Sequence, residues 1–269
     1  GSNRIFPMEA TEATTTALGE VKDIQEIGIT IAAQNLNPAI LNIDFLKSSG
    51  IVPGDWQLAK QPVLSAARSQ LSFQNGLNIV AQPRTITFAE ALKLDSSGQS
   101  NAAALAAPAV AAKYVESLPH ANYQGVSIAP RILVNFPSSE RPPRKFLVET
   151  LIAPGPWREI GKAPAQASVN FVYLLDRGQL SVSLNEVRLR PKGQEPIPAI
   201  LFAGTFAYGV ANIAESERVA RIKSCIQAWK IDLDEFQALV HQKFLGTDAG
   251  GGSANTGDPI IPSGAVLAS

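Results

Sequence analysis

The sequence predicts an α+β fold: a tandem repeat of an antiparallel β-meander plus a helix, pseudo-twofold, with the helices packed on one face of the sheet. Three observations carry this expectation. Runs of about five to ten residues alternate between apolar and polar, the period of a half-buried strand. Two stretches, near residues 108–118 and 216–240, switch to a helical period. The strand pattern is also written twice, and self-similarity is sought before any fold is assigned.

The two copies align without gaps over short blocks. Gly28-Ile29-Thr30-Ile31-Ala32 matches Gly125-Val126-Ser127-Ile128-Ala129 at an offset of 97. Phe45-Leu46 matches Phe146-Leu147, and Pro53-Gly54-Asp55-Trp56 matches Pro154-Gly155-Pro156-Trp157, both at 101. Lys60 and Pro62 match Lys162 and Pro164 at 102, as does Gly76 with Gly178; Leu77 and Ile79 match Leu180 and Val182 at 103. The offset only rises, as loop insertions in the second copy would make it. With 3 Trp, 19 Pro and 20 Gly in 269 residues, random order gives far fewer than one Pro-Gly-x-Trp, and two are present. The division that follows is an N-terminal arm over 1–20, a first repeat over 21–119, a second over 120–245 and a tail over 246–269.

In chain order, residues 1–20 are rich in Thr, Glu and Ala and short of apolar periodicity, and are expected to form a mobile arm. Ile27, Ile29 and Ile31 alternate with Gly28 and Thr30 as a first strand. Ile40 to Leu46 is expected as a second strand after the Asn37-Pro38 turn. Ala67–Phe73 and Leu77–Ala81 flank Asn75-Gly76, the strongest short-range hairpin signal because both positions tolerate positive φ. Thr85 to Phe88 is a last strand. Pro108 suits the first turn of a helix, where its missing N–H costs nothing, and Pro119 ends that helix.

The second copy repeats the order. Gly125–Phe136 and Phe146–Ile152 are expected as strands, and Ala167–Leu175 and Leu180–Leu189 flank the turn at Asp176-Arg177-Gly178. A slip in alternation at Asn185-Glu186 suggests a β-bulge. Ala199–Tyr208 adds a strand. From Ser216, the residues Val219, Ile222, Ile226, Trp229, Leu233, Phe236 and Val240 form one apolar seam. Two readings of it stay open: packing onto the sheet, or pairing with a partner, in which case Val219, Ile222, Ile226 and Trp229 are the contact residues. Asp232 and Glu235 read as a capping pair that restarts the helix. Residues 246–269 are rich in Gly, Ser, Asn and Pro, with Ile260, Ile261 and Val266-Leu267 as anchor points on a neighbouring surface.

Composition narrows the function. The 23 basic and 23 acidic residues cancel, which removes long-range attraction to nucleic acid or an anionic membrane and also the repulsion that keeps copies apart. No intramolecular disulfide can form from Cys225 alone, and no signal peptide is visible in the first twenty residues, so a reducing, cytoplasmic location is expected. The uncharged window 196–214 holds too many Pro, Gly and polar residues for a spanning helix. His120 and His241 have no metal-type spacing, Cys225 has no nearby base, and Gly250-Gly251-Gly252 precedes no helix. No metal, cofactor or catalytic residue is therefore expected, and the chain is read as no enzyme. One basic cluster stands out at Arg141, Arg144 and Lys145, in the longer loop of the second copy. It is a solvated hairpin tip or a grip for an anionic partner.

The duplicated meander-plus-helix plan resembles the TATA-binding-protein-like architecture, in which two such halves form one sheet with helices on one face. The runs RSQLSFQNGLNIV (68–80), YQGVSIAPRILVNFP (123–137) and CIQAWKIDLDEFQALVHQKF (225–244) look like a sporadically distributed bacterial family of unknown function, a resemblance that covers most of 24–245. It implies no catalytic residues. The expectation is a non-catalytic protein-binding or assembly component, with a protein partner or homo-oligomer. The alternative is a nucleic-acid or small-anion-binding module built on the Arg141–Lys145 loop.

Overall fold

The computed structural model describes residues 23–93, 102–136, 142–162 and 165–246. The expected arm and the tail anchors Ile260 and Ile261 lie outside the described residues. The fold is α+β, built on one nine-stranded antiparallel sheet. In chain order its elements are β1 (Asp23–Ala33), α1 (Ile43–Ser48), β2 (Val63–Leu64), β3 (Ser69–Ser72), β4 (Asn78–Ala81), β5 (Thr85–Ala91), α2 (Ala107–Ser117), β6 (Tyr123–Asn135), α3 (Pro143–Lys145), β7 (Val169–Leu175), β8 (Gly178–Leu189), β9 (Ile197–Gly209), α4 (Glu215–Gln227) and α5 (Trp229–Ala238). Strand order across the sheet is β2-β3-β4-β5-β1-β6-β9-β8-β7. The long strands β1 and β6 pair with each other at the centre, and an extra residue in β6, Gln124, breaks their register between Ala32↔Gly125 and Ala33↔Tyr123.

Period-2 alternation decides which face is covered. Ile27, Ile29 and Ile31 of β1, Phe88 of β5, Ile128 and Ile132 of β6, Phe202 and Phe206 of β9, and Val182 of β8 point into one core. Val110 and Val115 of α2, Ile222 and Ile226 of α4, and Leu233 and Phe236 of α5 close that core from the same side. At Gly204 the sheet meets α5 so closely that an added Cβ would lie 2.6 Å from the Phe236 ring. The Asn75-Gly76 turn forms as expected: Gly76 takes φ +98°, and the Leu77 amide donates to Asn75 Oδ1 at 3.0 Å.

Three expectations about the strands are corrected. Ile40–Leu46 is not a strand. Asn42 stands before its last residues, and its side chain accepts from the Phe45 amide at 2.8 Å, which starts α1. Phe146–Ile152 is not a strand either. Pro143 at the first turn presets α3, which runs on as a π-helical turn over Phe146–Thr150. The slip at Asn185-Glu186 is no bulge, because β8 pairs with β9 in unbroken register from Gln179↔Ala207 to Leu189↔Ile197. What changes there is the face: Val187 and Leu189 join a second, smaller apolar cluster around Leu133, Ala199 and Leu201 on the opposite side of the sheet. The closing helix runs in two parts. It breaks at Ala228, resumes as α5, and ends in a π-helical turn over Leu239–Phe244.

Candidate interaction surface

The helices leave the other face of the sheet without helical cover among the described residues. Strand alternation puts Glu26, Gly28, Thr30 and Ala32 of β1 there, opposite the buried isoleucines. Register then adds Thr85, Thr87 and Ala89 of β5, Ser127, Ala129 and Arg131 of β6, Ala203, Thr205 and Ala207 of β9, and Ser181 and Ser183 of β8. Over this part of the face the side chains are short and mostly uncharged; toward its other end Ile24, Val187 and Leu189 surround the buried Leu133, Ala199 and Leu201. Thr30 and Thr87 join hydroxyls across the strands at 2.9 Å. Among the described strand residues, the charges on this face are Glu26 and Arg131, which face each other in register. Burial pushes the Glu26 carboxyl above its ordinary range, and the Arg131 charge pulls it partly back.

Two buried carboxylates lie on the helical side, and both are committed internally. Glu90 of β5 is 3 % exposed. Its Oε1 accepts from the amides of Ala106 and Ala107 at 2.8 and 2.9 Å, so a strand residue caps α2 where no side chain of the helix's own N-cap does so. Burial raises its pKa against the pull of those amides. Asp232 of α5 is 1 % exposed. Its Oδ1 accepts from Arg177 Nε at 2.9 Å and its Oδ2 from the Tyr208 hydroxyl at 2.7 Å. Arg177 also pairs with Glu235 and lies 5.3 Å from the centre of the Phe206 ring. Burial raises the Asp232 pKa, opposed by the bonds from Tyr208 and Arg177. Asp232 and Glu235 therefore do not cap a helix start, as their spacing suggested. Three residues apart, they share a helix face and together hold the β7–β8 turn against α5. The Asp176-Arg177-Gly178 turn was legible in the sequence, but the partner of Arg177, 55 residues away, was not.

The basic loop residues are neutralised where they are described. Arg144 Nε bonds Glu186 Oε2 at 3.2 Å, and Lys145 sits 4.0 Å from Glu149. Arg141 lies outside the described residues. In the closing seam, Ile222 and Ile226 are buried in the chain's own core, while Val219 and Trp229 pack half-buried against it. No group of three or more metal-binding side chains occurs among the described residues. A half-open, largely apolar cleft of about 290 Å³ lies between α1 and the end of α2, with Tyr114, His120 and Asn35 among its lining. Burial pushes the Tyr114 phenol up to about 12.

The two exposed edges of the sheet differ. On one side β2 covers β3. On the other β7, of sequence VNFVYLL, is the outermost strand. Val172 is 54 % and Leu174 85 % exposed. No described helix is long and apolar enough to cross a membrane. Comparison of the chain with models of known protein families and with curated proteins returns no match.

Proposed function

We propose that this chain is a non-catalytic assembly component that binds protein through the uncovered face of its sheet. One observation carries the reading: a sheet nine strands wide leaves one face without helical cover among the described residues, and the strand residues there carry a single opposed charge pair, Glu26 and Arg131. A nucleic-acid partner requires several cations placed against phosphates, since counterion release supplies most of non-specific affinity. Among the described strand residues this face offers one guanidinium, opposite a carboxylate. Short Ser, Thr and Ala side chains instead allow close approach of another backbone with little side-chain entropy to lose. The anion-binding alternative is weakened by the pairing of Arg144 with Glu186. A reducing, cytoplasmic setting fits the lone Cys225.

The reading includes a duplicated, pseudo-twofold architecture of TATA-binding-protein-like plan and kinship with the sporadic bacterial family. Register at the centre supports the duplication. The sequence alignment equates Thr30 with Ser127, and these two residues pair with each other across β1 and β6. A twofold axis requires this of the residues it passes between. The neighbouring pairs obey the same rule: Gly28↔Ala129 maps onto Gly125↔Ala32, and Ile29↔Ile128 onto Val126↔Ile31. Outward from the axis the order is β1-β5-β4-β3 on one side and β6-β9-β8-β7 on the other. Both expected second strands also became short helices at equivalent places.

The test is in-cell cross-linking of the full chain followed by affinity purification, comparing wild type with a Thr87→Glu/Ser181→Glu variant. Both positions are half-buried on the open face, and the variant is expected to lose its cross-linked partner; Thr87→Ala/Ser181→Ala, which also removes the Thr30–Thr87 bond but adds no charge, should keep it. Identical partners for both proteins would refute this use of the face.

A further inference from the structure

We propose that β7 is a self-pairing edge, through which two copies of this chain join antiparallel across a twofold axis and continue one sheet through both. The proposal rests on the assembly reading and names one partner for it: a second copy.

Exposed edge strands are a hazard that folded proteins manage with shortness, charge, proline or bulges. β2 uses shortness, being two residues long, and Pro62 precedes it. β7 uses none of these. Its seven residues contain no charge and no proline, and its ladder to β8 runs without a register shift from Val169↔Leu184 to Leu175↔Gly178. No described strand pairs with its outer side.

The sequence of β7 also fits its own reverse. Antiparallel pairing centred on Val172 sets Val172 opposite Val172, Phe171 opposite Tyr173, Asn170 opposite Leu174, and Val169 opposite Leu175. Aromatic meets aromatic twice on the core side, where Phe171 and Tyr173 already stack 6.2 Å apart within one chain. β-Branched meets β-branched on the open side. Such cross-strand pairs favour association, and like charges directly opposite would oppose it. Here no charge faces its own copy within the strand, and the net charge of zero adds no long-range repulsion. A twofold axis perpendicular to the sheet makes the contact isologous and closed, and keeps both open faces on one side. A foreign strand would need none of this palindromic pattern, so the pattern favours a second copy.

Light scattering after size exclusion, on the full chain over a concentration series, is the first measurement. Wild type is expected to dimerise. Val172→Lys and Leu174→Lys each place a cation on the edge at a position more than half exposed. They should raise the dimer dissociation constant about tenfold or more, roughly 1.4 kcal/mol, while leaving unchanged the unfolding midpoint read at concentrations where wild type is monomeric. The register is read in a Cys225→Ser background. Val172→Cys should cross-link to itself under mild oxidation, since directly paired residues bring their Cα atoms within disulfide range. Leu174→Cys should not, because its opposite residue is Asn170.

A monomeric wild type, a dimer indifferent to both lysines, or equal cross-linking by Leu174→Cys would each overturn β7 pairing. A dimer that survives the lysines leaves the assembly reading standing through another surface. A monomer whose in-cell partners are also unchanged by Thr87→Glu/Ser181→Glu removes both.

Discussion

The motif Pro-Gly-x-Trp occurs at 53–56 and at 154–157, and its tryptophan has opposite fates. Trp56 is half-buried and meets Phe73 edge-on, with ring centres 5.3 Å apart. That contact lays residues 57–64 along β3: Ala59 N–H donates to Ser72 O at 2.7 Å, Gln74 N–H donates to Gln57 O at 2.9 Å, and β2 follows. Trp157 instead folds over its own Gly155, where a Cβ would lie 2.0 Å from the ring, and it is 58 % exposed. No described strand then pairs with the outer side of β7. The Trp56–Phe73 contact thus accompanies the edge that carries the short extra strand β2, and the exposed Trp157 the edge that ends at β7. The outer hairpins diverge accordingly: β3 and β4 are four residues each, while β7 and β8 are seven and twelve.

The same contrast can be tested at matched positions. The largest effect is expected where the second half depends on a buried ion pair. Asp232→Ala leaves the Tyr208 hydroxyl without its acceptor and Arg177 with Glu235 alone, and should cost about 2–3 kcal/mol in urea unfolding. Glu90→Ala, which removes a helix cap in the first half, should cost about 1–2 kcal/mol. A reversal of that order would break the comparison.

Next come the two matched glycines at the axis. A Cβ on Gly125 would lie 2.6 Å from the Tyr208 carbonyl oxygen, whereas one on Gly28 meets nothing closer than 3.7 Å. Gly125→Ala should therefore destabilise by about 2 kcal/mol, with Gly28→Ala within about 0.5 kcal/mol of wild type. Trp56→Ala should cost about 2 kcal/mol by thermal unfolding and Trp157→Ala under about 0.5.

The smallest effect is a pH slope. Asp232 titrates above its ordinary 3.8 in the fold. The folded state therefore holds this proton more tightly than the unfolded chain. Its contribution is fully present below the ordinary value and is lost as pH rises through the raised one. Denaturation midpoints of Asp232→Asn should fall less steeply with rising pH through the carboxylate range than those of wild type. An identical slope would refute the assignment.

Much of the fold was readable from local chemistry. The isoleucine alternation of β1, the Asn75-Gly76 turn and the Pro108 to Pro119 limits of α2 needed no partner to be recognised. What escaped was set by a single polar atom or by a distant strand. Ile40–Leu46 has the apolar density of a strand, and the Asn42 side chain alone turns its end into a helix. The broken alternation at Asn185-Glu186 looked like a backbone defect because nothing in β8 itself reveals the second cluster at Leu133 and Leu201. The candidate surface was the least legible part. VNFVYLL reads as a strand, but its place at the edge depends on pairing order, which no local window contains. The seam residues Ile222 and Ile226 were recognised by period, and period cannot say whether the covering surface belongs to the same chain.

The central ladder has a consequence for the order in which the chain is made. β1 is complete at residue 33, and its first neighbour β5 follows by residue 91, yet its other neighbour β6 ends at residue 135. While the ribosome adds those last residues, a strand of eleven residues carrying three buried isoleucines waits with one side unpaired. Emerging chains meet such edges in one another before they meet their own. Slowing translation over the codons of residues 92 to 123 lengthens that wait, so synonymous rare codons there should lower soluble yield without altering a single amino acid.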